Sequence, residues 1–301
     1  MGKRAACLSS LLVTLISNFN EAGNPKSRRK IARGAAQDTT SLTREEERFS
    51  AEAHLPEIRE CISKWSGDRD LDCLDLFGAS GRVAETWKAN GKAATSYDIK
   101  IGGKEHDITS RVGFFWLLAA SLRLQAGALV VAGPPCSLFI FLSSSVHRRR
   151  KGREEGDTSN PGVRLANLIV DNMMVFLGIM HERGVYFVLE QPSSSWMFKL
   201  PGVLHSMAQI GNENIHRVST WMAAFGHEMP KCTHLVGTLP TLYRMRRIHS
   251  PGRKQRKADK NLWEQTEFGV WGGRDLPGSA AYTPQFCQCL FLAWQRCRSE
   301  F

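Results

Sequence analysis

The stretch Ala128-Leu-Val-Val-Ala-Gly-Pro-Pro-Cys136 decides how the rest of the chain is read. Its first five residues are apolar and rich in valine, which describes a strand buried on both faces, as inside a parallel sheet. Gly133-Pro134-Pro135 ends that strand, because successive prolines have no amide to give to a ladder. Cys136 is thereby delivered to the carboxyl edge of the sheet, where open α/β folds hold their ligands. Taken alone, a cysteine in that place is a small packing residue; the groups that share the edge decide otherwise.

Working outward, Leu71 to Phe77 reads as a strand, Gly78 to Gly81 as a tight turn, and Arg82 to Asn90 as a helix stopped by Gly91. Ala93 to Tyr97 is a second strand, ending in Asp98, and Val112 to Gln125 an apolar helix before the central strand. Downstream, Val163 to Arg183 is a long helix in which Leu165, Leu168, Ile169, Met173, Phe176 and Met180 recur every three or four residues. Gly184 stops it, and Val185 to Leu189 is another buried strand, ending in Glu190-Gln191-Pro192. Shorter strands are expected around 217–220 and 234–237, and a final helix carries Phe286, Cys289, Leu290, Ala293, Trp294 and Cys297 on one face. Strands alternating with helices predict an α/β fold: a doubly wound, mostly parallel sheet with helices on both faces. Trp196, Trp221, Trp263, Trp271 and Trp294 read as packing residues, Met173, Met174 and Met180 as core, and His181 and His234 as ordinary helix and strand residues.

At 301 residues the chain is long enough for one large α/β domain with embellishments. The net charge of +11 is unevenly placed. Between Arg244 and Lys260 eight Lys/Arg face a single acid, and His147-Arg-Arg-Arg-Lys-Gly-Arg153 follows closely on the focal cysteine. Such clusters suit a polyanionic partner; each alone is equally compatible with a solvated loop or an import signal. The eight cysteines have neither paired nor regular spacing, so no metal site and no disulfide framework is expected, and a reducing compartment follows. No run approaches the roughly 20 apolar residues of a membrane span.

Residues 1–40 read as a flexible arm or a targeting segment: Lys3-Arg4 precedes a mildly apolar stretch, and basic residues recur between Lys26 and Arg33. The nucleus is the first address considered and an organelle a further one. Residues 41–68 form a helical flank, opened by the capping box Thr43-Arg-Glu-Glu46, interrupted by Pro56, and with Leu55, Ile58, Ile62 and Trp65 at helical spacing.

At the strand ends stand Asp75-Leu-Phe-Gly-Ala-Ser-Gly81, then Asp98, then Asp107-Ile108, then Gly133-Pro-Pro-Cys136, then Glu190-Gln191. In this order they resemble the cytosine-5 DNA methyltransferases, which use S-adenosylmethionine, over roughly residues 70 to 240. The resemblance implies a Rossmann-like methyltransferase domain over 69–301, with a basic insertion at about 240–280. It implies a cofactor site made by Asp75, Phe77, Gly78, Ser80, Gly81, Asp98, Ile99, Asp107, Ile108 and Pro134. It gives catalytic roles to Cys136, Glu190 and Arg164, and substrate contacts to Ser137, Gln191, Lys231, Thr233, Arg148 and Arg149. Here Ala79 stands for a usual glycine, Ser137 for a glutamine and Gln191 for an asparagine. Phe225-Gly226 and Lys231-x-Thr233 are similar to a further strand motif only loosely, Tyr282-Thr-Pro-Gln-Phe286 is similar to the opening of the closing helix, and an Asn-Ser pair near the cofactor is missing.

The chemistry explains the combination. Carbon 5 of cytosine becomes a nucleophile only after a thiolate has added at carbon 6, and an acid must hold the ring nitrogen as charge builds there. Cys136 and Glu190 would supply the two groups, with loop amides or arginines helping the thiol ionise. The base must leave its duplex or be single-stranded, and the loop from Ser143 to the Arg148 cluster would close over it and touch phosphate. A monomer acting on nucleic acid, DNA before RNA, and needing no metal is expected. Two other readings stand beside this one: methyl transfer to an amine or small molecule, and a degenerate domain that binds nucleic acid without catalysis.

Overall fold

The computed structural model describes residues 48–228, 231–248 and 281–300, with the backbone of two further short strands. The strands are β1 (Leu71–Leu76), β2 (Ala94–Tyr97), β3 (Leu124–Ala132), β4 (Tyr186–Pro192), β5 (His216–Trp221), β6 (Cys232–Gly237), β7 (Trp263–Thr266) and β8 (Gly269–Gly272). The longer helices are α1 (Leu55–Ser63), α2 (Arg82–Ala89), α3 (Arg111–Leu122), α4 (Pro161–Glu182), α5 (Pro201–Ile210) and α6 (Pro284–Glu300). Six strands make one sheet in the order β2-β1-β3-β4-β6-β5, and β7 and β8 form a separate antiparallel pair.

The apolar run behaves as its composition dictates. Ala128 to Ala132 is fully buried between β1 and β4, both parallel to it. The strand begins earlier than expected, at Leu124, because Gly127 adopts φ 76° and lets the chain bulge. That bulge shifts the register between Leu71↔Leu124 and Cys73↔Leu129. The Gly127 carbonyl then receives the Trp294 indole, pinning α6 to the sheet.

The two faces of the sheet bury different helices. On one, α1, α3, α4 and α5 cover Leu74, Leu76, Val130, Phe187 and Leu189. On the other, α2 and α6 cover Cys73, Leu129, Val131, Val188 and Leu235. By length and composition α4 would pass for a membrane span, against the sequence expectation, yet Val170, Met173, Phe176, Leu177 and Met180 are buried in the core. Asn160 caps it, accepting from the Gly162 and Val163 amides.

Three expectations are corrected. Pro56 does not interrupt a helix: it lies in the first turn of α1, where a missing amide costs nothing. β6 runs antiparallel to both β4 and β5, because the short β5–β6 link carries no crossover helix. Pro240 to Met245, assigned to the basic insertion, is a 3₁₀ turn whose Leu242 and Met245 join the core. The arm at 1–40, the Thr43 capping box, and Trp263 and Trp271 as packing residues lie outside the described residues or side chains.

The chain leaves β1 for β2 at one edge and returns to β3 on the other side of β1, which puts the topological switch point between β1 and β3. A mostly parallel sheet so wound, with helices on both faces, is a Rossmann-like α/β fold.

Candidate active site

The β1 turn sits at the switch point. Phe77 takes φ 63° and Gly81 φ 66°, so the chain reverses sharply before α2. Gly78 permits no side chain, since a Cβ there would meet the Asp75 carboxyl at 2.1 Å. Ala79 departs from the family pattern without strain: it is exposed and does not need the left-handed region. Ser80 is also exposed, so the tip of the turn is open. Asp75 is buried, and its Oδ2 has no hydrogen-bond partner. Burial pushes its acid up to about 7, against the opposing pull of the Ala84 and Val83 amides at the start of α2.

Asp98 ends β2 and caps the following turn, its Oδ1 accepting from the Lys100 amide at 2.7 Å. Its own amide meets His106 Nδ1, and His106 stacks on Tyr97 at 4.5 Å. Ile99 is exposed beside it. Asp107 Oδ1 accepts from the Thr109 amide and hydroxyl, and its Oδ2 lies 3.5 Å from Arg48. Ile108 is buried, and its carbonyl is bonded by Asn172, which also binds Phe49 and Ala51.

These groups fit a cationic, adenosine-bearing cofactor. An orphaned, buried carboxylate oxygen on Asp75 asks for a donor, and the missing side chain at Gly78 is what lets that carboxyl lie against the turn. Asp98 keeps a second oxygen for hydroxyls. Under the resemblance drawn from the sequence, Asp75, Asp98 and Asp107 would be the residues that hold S-adenosylmethionine.

The next strand ends bring the reactive groups. Gly133 extends β3, its amide bonded to the Leu76 carbonyl. Pro134 is buried, and its carbonyl accepts from Gln191 Nε2 at 2.7 Å. Glu190 is buried at the end of β4. Lys231 Nζ sits 3.1 Å from its Oε1, a charge contact without hydrogen-bond alignment. Tyr282 donates to its Oε2 at 3.3 Å. Cys136 is half-buried and within electrostatic reach of both Lys231 and Glu190. Burial raises its thiol above the usual range; Lys231 pulls it down, Glu190 pushes it further up, and its own amide lowers it. The help for the thiol thus comes from a lysine and from a loop amide, its own; loop amides or arginines were expected.

Cross-strand register places Glu190 opposite Leu235, and Thr233 opposite Thr220, with Thr233 and Leu235 two apart on β6 and so on one face. The Thr233 and Thr220 hydroxyls are both buried without partners. Asp75, Gly133, Glu190, Lys231 and Tyr282 thus gather on the α2–α6 side of one sheet edge.

Other expected site residues lie elsewhere or serve otherwise. Arg164, exposed in the first turn of α4, donates to the Thr158 and Ser159 carbonyls and ties down its own entry loop. Gln191 is fully buried between Pro134 and Ser195, which makes it a clamp on the cysteine loop and removes it from substrate. Arg149 is an internal strut: it bonds the Leu138 and Glu154 carbonyls and Asn167 Oδ1, and lies 4.2 Å over the Phe139 ring. Its burial lowers its pKa to about 10. Arg148 is exposed but paired with Asp157 at 3.3 Å. Ser137 is exposed, its carbonyl taken by the Ser143 hydroxyl. The segment from Ser143 into the Arg148 cluster, expected to close over substrate, holds a short helix, Ser144–His147, whose buried His147 bonds the Ile140 carbonyl, and in the stretch before it carbonyls 134 and 136–140 each accept a hydrogen bond. Tyr282 was missed as a site residue; its signal was its place just before Thr283-Pro284, the start of the closing helix.

No protein-family model and no curated protein matches the chain. Among solved structures it is similar to the Entamoeba histolytica methyltransferase EhMeth, at 13% identity and TM-score 0.34, over 62% of this chain and 58% of that one. It is also similar to the S. pombe Dnmt2 methyltransferase, at 10% identity and TM-score 0.33, over 66% of this chain and 56% of that one. The chain spans less than two thirds of the length of either, and the likeness is one of fold.

Proposed function

We propose that the chain is an S-adenosylmethionine-dependent methyltransferase acting on carbon 5 of cytosine in nucleic acid, DNA before RNA, through a covalent adduct with Cys136. The observation that carries this reading is the paired Glu190 and Lys231 at one sheet edge with Cys136 within their electrostatic reach, beside the turn where one oxygen of Asp75 lacks a partner.

When bound, S-adenosylmethionine supplies an electrophilic methyl group on a positively charged sulfur. The protein's part follows from its own groups. Cys136 Sγ, as thiolate, forms a bond to carbon 6 of the extruded ring, and the electron pair moves toward carbon 5. Glu190 faces the ring nitrogen, where the charge develops, passes it a proton taken up from solvent, and recovers that proton when the thiolate leaves. Lys231 offsets the negative charge of the thiolate and of Glu190 together. Carbon 5 then forms its bond to the methyl carbon. Transfer of the carbon 5 proton to solvent water returns the electron pair to the ring, and the bond from carbon 6 to sulfur breaks to free the thiolate. Because burial raises the thiol, the reaction should speed up with pH above neutrality.

The test is a 5-fluorocytosine oligonucleotide, whose carbon 5 has no proton to lose. With S-adenosylmethionine the wild-type chain should form an adduct that survives denaturing electrophoresis. Cys136→Ala should form none while binding the cofactor within about twofold. Methylation that persists in Cys136→Ala would favour transfer to an amine. A second reading, nucleic-acid binding without catalysis, is favoured by the raised thiol, and cofactor binding without any adduct would select it.

A further inference from the structure

We infer that Tyr282 is a positioning residue for Glu190, fixing one carboxylate oxygen from the closing helix while Lys231 faces the other; this rests on the reading of Glu190 given above. The hydroxyl lies 3.3 Å from Glu190 Oε2, long for such a bond, as contacts in a free enzyme often are before substrate tightens them. Nothing about the ring is adventitious. It is buried, stacks on Phe286 at 4.9 Å, and feels the charges of both Glu190 and Asp75. Its backbone is held from two directions. The carbonyl accepts from Arg82, the first residue of α2, and the next residue, Thr283, donates to the Phe225 carbonyl between β5 and β6.

The absence of a side chain at Gly133 belongs to the same arrangement. A Cβ there would come within 2.4 Å of the Tyr282 hydroxyl and 3.6 Å of Glu190 Oε2. The phenol therefore lies against the backbone that leads into Pro134-Pro135-Cys136. Burial and the neighbouring acids also raise its pKa well above the ordinary tyrosine range, so it remains a donor at every working pH. A carboxylate gripped by a permanent donor on one oxygen and a cation by the other can turn only as a unit. That gives the group a single orientation toward the ring brought in by Cys136.

Tyr282→Phe keeps the ring and removes only the donor. With the full chain, it should lower kcat for methylation, and the rate of adduct formation with the 5-fluorocytosine oligonucleotide, by about tenfold. Cofactor affinity by calorimetry and KM for the oligonucleotide should stay within about twofold. Gly133→Ala, which displaces the same hydroxyl from another side, should show the same split. An unchanged kcat in a folded Tyr282→Phe protein makes the residue mere packing and overturns the inference alone. A loss confined to cofactor affinity makes it a wall of the cofactor site and does the same. A wild-type chain that forms no adduct overturns the proposed function and the inference together.

Discussion

At the scale of single residues, the site stores its cost in Asp75. A carboxylate with an orphaned oxygen and little water is held charged against its preference, and burial raises its pKa to about 7. The unfolded value is near 3.9, so the folded state binds the proton more tightly. The sign follows: the penalty is absent below pH 4, grows as pH rises between the two values, and is complete above about 7. Asp75→Asn should therefore leave stability at pH 4 nearly unchanged and raise it at pH 8, by something on the order of 4 kcal/mol. Urea unfolding at the two pH values measures this, and an equal effect at both would show that ionisation is not the cause. The same substitution should cost cofactor affinity, since the charge that strains the free protein is the one a cationic ligand would answer. Under the proposed function, a residue that destabilises its own fold at the switch point is the one placed to meet the cofactor's charge.

At the scale of elements, the loop after β3 is the part whose behaviour departs most from its composition. Serines and arginines suggest a solvated flap, yet its carbonyls are taken by Gln191, Arg149, Trp196 and His147, each from outside or across the loop. Gln191 is the keystone, bonded to the Pro134 carbonyl and to the Ser195 hydroxyl with almost no exposure. Gln191→Leu strands both partners in a buried place and should lower stability by about 2–3 kcal/mol. Hydrogen exchange should then quicken at amides 137–143 and stay slow in the middle of α4; uniform quickening would mean global loosening instead. This contrast also marks what was legible in the sequence. β1, β2, β3, β4 and α4 were readable because apolar periodicity is a local property, and the acids and thiol at their ends followed from where strands must stop. The direction of β6 was not, since nothing within Cys232–Gly237 states which way it runs. Arg149 and Gln191 read as substrate residues because a sequence shows a charge or an amide but not the carbonyls that consume it. Tyr282 was invisible as a partner of Glu190 because 92 positions separate them.

At the scale of the whole molecule, the proposed function raises the question of which basic surface would meet a polyanion. The cluster following Cys136 has five cations between Arg148 and Arg153, but Glu154, Glu155 and Asp157 come directly after. Asp157 is ion-paired with both Arg148 and Arg153, and Arg149 is buried. Little of that cluster's charge is left to attract phosphate. Between Arg244 and Lys260, by contrast, eight cations face one acid in the sequence, so most of the chain's +11 surplus lies there. Each phosphate neutralised contributes a slope of about −0.9 to the dependence of log K on log salt for a duplex. Replacing Arg253, Lys254, Arg256 and Lys257 with alanine should therefore weaken nucleic-acid binding and flatten that slope by about two to four units. Replacing Arg148, Arg150 and Lys151 should change it by about one unit or less. Fluorescence anisotropy with a labelled oligonucleotide between about 50 and 200 mM salt reads both slopes. If the two variants flatten the slope equally, the pairing with Asp157 opens on binding and the loop after Cys136 meets the substrate directly. If only the later segment matters, the catalytic edge is brought to its substrate by charges that lie more than 100 positions away from Cys136 in the chain.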